Sequence, residues 1–125
     1  MTFGYQYVVL RLVPSIEREE FLNVGVALYA QMADFLDARF HLDAARLAAF
    51  APTLAPADVE QSLGALCAAV RGEPCPGRPD LPKLGQRFGW IVAPRSTIIQ
   101  PGPMHGGVSD DPAATLERLL DRLVR

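Results

Sequence analysis

The stretch Y-Q-Y-V-V-L-R-L-V, residues 5–13, decides the fold of this chain. It is rich in aromatic and β-branched residues, which favour β-strands. Successive side chains of a strand point to opposite faces, and here both sets of side chains are largely apolar. The pattern therefore predicts a central strand of a sheet, ended by Pro14. The rest of the chain must then supply the neighbouring strands and the helices that cover them.

Two further strands are predicted directly after this one, at residues 24–30 and 35–42. In the later of the two, apolar residues alternate with Asp37, Arg39 and His41. A period of two is typical of a half-buried strand with a polar outer face. We therefore expect these three polar side chains to share one face of the sheet.

Three helices are predicted from cap residues and apolar spacing. Asp43 is a typical N-cap for residues 44–50, and Pro56 opens a longer helix that ends at Gly72. Residues 111–112, Asp-Pro, open the last helix. Its apolar residues recur at i, i+3, i+4, i+7 and i+8, so it is expected to belong to the core. They are Leu116, Leu119, Leu120, Leu123 and Val124.

Between the second and third helices, residues 88–93 and 96–100 predict two strands or one bent strand, with Pro94 as an edge or a break. The order is thus three strands, two helices, one or two strands and a helix. Short links between the first strands favour an α+β fold. We expect a mostly antiparallel sheet of four to five strands, with about three helices packed on one face. Residues 1–125 are expected to form a single domain.

Composition excludes several classes of protein. Half of the residues are hydrophobic and the net charge is -2, so no overall positive field attracts nucleic acid. No apolar run reaches the roughly 20 residues of a membrane span, and the first residues do not resemble a secretory signal. We therefore expect a soluble, cytoplasmic protein with no membrane partner. A homo-oligomer is left open by these numbers.

The two cysteines do not have the spacing of a redox or zinc motif. Cys67 lies at helical spacing with apolar residues and is expected to be buried, whereas Cys75 lies in a proline-bounded loop and is expected to be exposed. No catalytic or metal-binding motif is present. The sequence thus predicts no catalytic residue, no metal and no cofactor.

The clearest candidate site is the segment A-P-R-S-T-I-I-Q-P-G-P-M-H-G-G at residues 93–107. Arg95 beside the hydroxyls of Ser96 and Thr97 suits a phosphate or a carboxylate, and His105 adds a donor or a base near neutral pH. Prolines stiffen the segment and leave its polar side chains available. The alternative is that Arg95 forms a structural salt bridge with an acid at 17–20 or 110–111.

Two weaker groups complete the candidates. Asp37, Arg39 and His41 could form a cationic patch with Arg11 or Tyr7, but a solvated face with a surface ion pair is favoured. The carboxylates of R-E-E at residues 18–20 are adjacent and so form a poor chelate. One of them is expected to pair with an arginine, and Asn23 is expected to lie in a turn.

Several motifs together resemble one family of bacterial proteins. They are Y-x-Y-x-V-x-R-x-V-P at 5–14, R-E-E-F-x-N-V-G-V at 18–26, F-L-D-A-R at 35–39, A-P-R-S-T-I-I-Q-P at 93–101 with the following His105, and D-D-P at 110–112. The chain resembles the domain of unknown function family 3037 over nearly its whole length. The resemblance implies a small stand-alone domain, often encoded beside a HipA-like protein kinase of the kind found in toxin–antitoxin modules. It implies no known activity.

Two functions follow as hypotheses. The first is a non-catalytic interaction domain that binds a protein partner, with a HipA-like kinase as the candidate. The alternative is a small enzyme or ligand-binding domain that acts on a phosphorylated or acidic molecule through arginine and histidine. The candidate binding residues are Arg95, Ser96, Thr97, His105, Arg11, Arg18 and Asn23. A nucleic-acid partner is disfavoured by the acidic net charge.

Overall fold

The computed structural model describes residues 1–78, 80–95 and 97–125. It contains five strands and four α-helices, with short 3-10 turns at Ile16–Arg18 and Gln31–Ala33. In chain order the elements are β1 (Phe3–Leu12), β2 (Leu22–Ala30), β3 (Phe35–Phe40), α1 (Ala44–Phe50), α2 (Pro56–Val70), α3 (Leu84–Val92), β4 (Ile99–Pro101), β5 (His105–Ser109) and α4 (Pro112–Leu123). No helix in these ranges is both long and apolar enough to cross a membrane.

All strand pairs are antiparallel, and β1 is the central strand, as its sequence predicts. β2 pairs with one side of β1, and β3 pairs with β2 and forms the far edge. The other side of β1 is shared by two strands: β5 pairs with residues 3–7, and β4 pairs with residues 10–12. A bulge at Val24 in β2 lies opposite the Leu10–Arg11 step of β1.

The sheet has an apolar core on each face. Val8, Leu10 and Leu12 of β1 pack into the larger core with residues of α1, α2 and α3. Alternate residues of β2, Val26, Leu28 and Ala30, pack into a second core with α4. Because β1 and β2 are apolar on both sides, one layer of helices could not have covered them.

The predicted fold class is confirmed: the fold is α+β with a five-stranded antiparallel sheet. The three helices α1, α2 and α3 lie on one face of the sheet. A fourth helix, α4, lies on the opposite face. Asp43 and Asp111 are N-caps as expected, accepting hydrogen bonds from the backbone N–H groups of Arg46 at 3.0 Å and Ala114 at 3.2 Å. The deep burial of Leu116 and Leu120 confirms that α4 belongs to the core.

The strand predicted at 88–93 is wrong, because this region is helix α3. Its buried residues, Phe88 and Ile91, are three apart, which is helical spacing, and a short apolar run alone does not separate a strand from a helix. β4 is also shorter than predicted, and β5 was not predicted at all. Two adjacent glycines remove the β-propensity on which such a prediction depends.

Candidate functional site

The two edges of the sheet differ in how their backbone groups are used. At the β3 edge, Arg71 donates from Nε to Asp37 Oδ1 at 2.8 Å and from Nη2 to the carbonyl oxygen of Ala38 at 2.9 Å. Asp37 Oδ1 also accepts from the N–H of Ala38 at 2.8 Å. We call the outer side of β3, with these hydrogen bonds, the closed edge. The hydrogen bond to Asp37 raises the pKa of the Arg71 guanidinium.

Arg39 forms a salt bridge with Glu117 of α4, beside the closed edge. The polar face predicted for Asp37, Arg39 and His41 is therefore a surface with ion pairs rather than a cationic patch. Arg11 does not join it, because β2 lies between β1 and β3. The favoured interpretation of these residues agrees with the contacts.

The opposite edge is formed by β4 and β5, and the outer side of β5 is here called the open edge. Residues 105–108, H-G-G-V, are all exposed, and Val108 is 73% exposed. The strand pairs only with β1, and no other backbone hydrogen bond of residues 105–108 is found within the described ranges. Apart from His105, the open edge carries no ionisable side chain.

The extended shape of β5 is fixed by contacts at its centre and its end. Tyr5 lies over Gly107, so that a Cβ on this glycine would be 2.5 Å from the tyrosine oxygen. At the end of the strand, Ser109 Oγ and Thr115 Oγ1 of α4 share a hydrogen bond of 2.6 Å. The strand is thus held in place on one side while its outer side is free.

His105 extends a row of aromatic rings on the α4 face. Its ring centroid is 5.3 Å from that of Tyr7, which is 6.2 Å from that of Tyr5. Tyr7 and His105 are also partners in the β1–β5 register, which explains the contact. The row offers ring faces and polar ends at the surface, a combination frequent in binding sites.

Arg11 lies further along β1 on the same face. Its guanidinium carbon is 3.9 Å from the ring centroid of Phe21, and its buried Nε has no hydrogen-bond acceptor among the described residues. Phe21 is the residue that sequence reasoning missed here. Its sequence signal is an aromatic side chain at the end of the segment between β1 and β2, residues 13–21, here called the charged connection. Phe21 is 44% exposed in the fold.

Arg95 has a different environment on the other face. Its guanidinium stacks 4.6 Å from the ring centroid of Trp90 and donates to the Trp90 carbonyl oxygen. Burial lowers the pKa of Arg95. Among the described residues it forms no salt bridge with an acid at 17–20 or 110–111, the alternative considered from sequence. Through these contacts the Arg95 side chain packs against α3.

Thr97 is exposed, and its hydroxyl donates to the carbonyl oxygen of Ile99 at 2.8 Å. It lines a groove of about 360 Å³ together with Arg95 and apolar residues of α2, α3 and β4. Ser96, which was predicted to bind an anion together with Arg95 and Thr97, lies outside the described residues. The groove therefore shows one arginine and two hydroxyls, that of Ser62 and that of Thr97, which already donates a hydrogen bond.

Arg18 and Asn23 have structural partners. Arg18 pairs with Glu20 at the surface, as expected for the R-E-E segment. Asn23 was expected in a turn, but β2 already begins at Leu22, and the Asn23 side-chain amide donates to the carbonyl oxygen of Leu123 at 3.1 Å. The turn prediction is wrong, because the strand needs the backbone of Asn23 extended.

The fold does not gather the predicted residues into one pocket. Arg95 and Thr97 lie on the face of α1–α3, whereas Arg11 and His105 lie on the face of α4. Arg11 and Tyr7, the ring under His105, are four residues apart in one strand, or about 13 Å. In the described ranges no three His, Cys, Asp or Glu side chains are close enough to hold a metal.

Comparison with known proteins gives one match. The family model described as Protein of unknown function (DUF3037) matches residues 7–124, nearly the whole chain. A search of curated proteins and a search of solved structures each returned no match. The matched region includes β1 from Tyr7 onward, the charged connection, both edges of the sheet and α4. The chain therefore belongs to the DUF3037 family.

Proposed function

We propose that this chain is a non-catalytic interaction domain that binds a protein partner through the open edge. A HipA-like kinase is the first candidate, because the resemblance described above implies a domain that is often encoded beside such kinases. A bacterial source and a cytoplasmic location belong to the same proposal. The single observation that carries it is the contrast between the two edges. β5 has no lysine, arginine or carboxylate and no pairing partner on its outer side within the described ranges, whereas the edge of β3 is closed.

An extended segment of a partner can add to an unpaired strand as one more strand of the sheet. Backbone N–H and C=O groups then supply the hydrogen bonds, and nearby side chains supply specificity. Natural proteins usually protect an edge with charges, prolines or a covering element. The β3 edge has such protection from Arg71 and Asp37, and the described residues of β5 have none. An edge left free in this way is suited to a partner.

The aromatic row gives this strand addition a side-chain anchor. Tyr5, Tyr7 and His105 lie on the α4 face of the strands that a partner would extend. Aromatic residues dominate the energy of many interfaces. We expect His105→Ala to weaken partner binding about tenfold, which is about 1.4 kcal/mol.

A small enzyme acting on an acidic molecule is the alternative proposal. Its weakness is geometric, because Arg95 and His105 lie on opposite faces of the sheet. A shared active site would require their side chains to meet around one substrate. Nucleic acid is disfavoured as a ligand by the net charge of -2.

The test is co-expression with a HipA-like kinase and size-exclusion chromatography of the complex. We expect Val108→Lys to abolish co-elution, because a lysine on an exposed edge opposes strand addition. Met32→Lys is the matched control, since Met32 is 82% exposed beside the start of β3. The same change at that position should leave the complex intact.

Hydrogen exchange gives the second measurement. Amides of residues 105–108 should gain protection when the partner is added, and those of β3 should not. Absence of a complex would remove the kinase as the partner. A complex that forms equally well with Val108→Lys, without protection of β5, would refute strand addition at the open edge.

A further inference from the structure

A cavity at the other end of the β4/β5 edge contains an arginine side chain with no hydrogen-bond or salt-bridge partner among the described residues. It has a volume of about 290 Å³ and is here called the Arg11 cavity. Its lining comes from the end of β1, the charged connection and β4. The lining residues are Arg11, Val13, Ile16, Glu19, Glu20, Phe21, Gln100 and Pro101.

Arg11 differs from the other arginines in its lack of hydrogen bonds. Among the described residues, every other arginine except the exposed Arg122 donates to a carbonyl, hydroxyl or carboxylate oxygen. Arg11 forms neither a hydrogen bond nor a salt bridge in those ranges, although its Nε is buried. A guanidinium has five N–H donors, so its capacity to bind an acceptor is unused here.

The guanidinium is held in place without using those donors. One side lies against the ring of Phe21, with 3.9 Å between the guanidinium carbon and the ring centroid. On another side is Gly102, where a Cβ would be 3.0 Å from Arg11 Nε and 3.1 Å from its guanidinium carbon. The Gly102 N–H is itself fixed by a 2.8 Å hydrogen bond to the Val9 carbonyl oxygen. The arginine is therefore positioned before any ligand arrives.

We propose that the Arg11 cavity binds a carboxylate that is attached to an apolar group. The planar guanidinium matches the two oxygens of a carboxylate. Apolar surface next to the guanidinium is offered by the exposed Phe21 and Ile16 and by the buried Val13. This site is separate from the open edge, so ligand binding here does not depend on strand addition at β5.

The other charges of the cavity favour a singly charged ligand. Glu19 and Glu20 line the same space, and Glu20 is paired with Arg18. A doubly charged phosphate would be repelled more strongly by these carboxylates than a carboxylate ligand would. Glu19→Gln should therefore strengthen carboxylate binding about twofold.

The test is an NMR titration of the ¹⁵N-labelled protein with phenylacetate, phenylacetamide and inorganic phosphate. We expect saturable shifts of the Arg11 Nε–Hε signal and of the Phe21 and Gly102 amides with phenylacetate. Phenylacetamide, which lacks the charge, and phosphate should bind at least tenfold more weakly. Equal shifts from phenylacetamide, or no shift of these signals with phenylacetate, would overturn the proposal.

Variants distinguish a specific role of Arg11 in binding from the effect of the protein's net charge. Arg11→Met should weaken phenylacetate at least tenfold, whereas Arg122→Met removes the same charge on α4 and should change affinity less than twofold. Gly102→Ala keeps the charge but displaces the guanidinium, so it should also weaken binding. If Arg122→Met and Arg11→Met have equal effects, the site is refuted.

A short peptide identifies the source of the carboxylate. Acetyl-Ala-Asp-Phe-Ala-amide carries its only charge on an aspartate side chain. Binding of this peptide with the same shifts supports a protein segment as the ligand, and binding of phenylacetate alone supports a free small acid. If neither binds, the proposal is wrong.

Discussion

At the β3 edge, Arg71 and Asp37 form hydrogen bonds with both backbone groups of Ala38. At the β5 edge, the four exposed residues include no lysine, arginine or carboxylate, and no second strand pairs with them in the part of the chain that the structure describes. The two edges belong to the same sheet and end the same network of hydrogen bonds. Only one of them is protected in a way that prevents pairing with another chain. The comparison indicates that protection is local, set by a few side chains, and can be removed or added by single substitutions.

The largest expected effect concerns the helix beside the closed edge. Leu120 of α4 is fully buried against β2, and Leu120→Ala should destabilise the protein by about 2–5 kcal/mol through the cavity it leaves. Urea unfolding measures this loss. Val108→Ala, at an exposed site, is the control. An unchanged unfolding midpoint for Leu120→Ala would contradict the place of α4 in the core.

Opening the closed edge should have a smaller energetic cost. Arg71→Met removes the donor to the Ala38 carbonyl and the partner of Asp37, and about 1 kcal/mol of stability should be lost, because the pair is partly exposed. The more informative result is self-association, measured by light scattering over a range of concentrations. Arg122→Met should remain as monodisperse as the parent. If Arg71→Met does too, Arg71 does not protect the edge.

Cys67 of α2 reports on the larger core, and Cys75 is its exposed counterpart. Burial raises the pKa of the Cys67 thiol to about 11. Above pH of about 9 the unfolded chain ionises this thiol while the native protein keeps it protonated, so stability should fall as pH rises from there to about 11. Cys67→Ala should show a weaker dependence on pH over this range.

The same two thiols give a labelling experiment. A disulfide reagent should modify Cys75 rapidly and Cys67 only at the rate at which the core opens. Equal rates for both thiols would mean that the core opens far more often than its burial indicates.

The smallest effect on folding is expected at the open edge. Val108→Lys changes a side chain that is 73% exposed, so stability should move by no more than about 0.5 kcal/mol. The urea midpoint should match that of the parent, while partner binding is lost. A large loss of stability would show that Val108 supports the fold and would make the binding result uninformative about the edge.

Much of the fold could be predicted because its signals are periodic. β1, with apolar residues on both faces, and α4, with its leucine repeat, were identified correctly, as were the caps Asp43 and Asp111. The region of α3 was assigned to a strand, because nine residues are too few for the two periods to separate clearly. Strand β5 has no propensity signal, since its pairing depends on β1 and on Tyr5 covering Gly107.

The candidate site was harder to predict, because it depends on which residues the topology brings together. His105 contacts Tyr7 because β1 and β5, which are far apart in sequence, pair with each other. Arg11 contacts Phe21 because β1 and β2 form a hairpin. No spacing in the sequence encodes these contacts. Arg95, in contrast, was predicted to be available for a ligand or partner, but its guanidinium stacks on Trp90 of α3 and donates to the Trp90 carbonyl oxygen.

The central position of β1 affects how the protein is made. The first strand of the chain needs β4 and β5 as its partners, and the side chain of Asn23 needs the carbonyl of Leu123, 100 residues later. During synthesis the β1–β2 hairpin therefore emerges with one edge bare and its α4 face uncovered. Contacts so distant in sequence slow folding and leave apolar surface exposed meanwhile. A chain without α4 therefore exposes the apolar side chains of Val26, Leu28 and Ala30 that this helix covers in the fold.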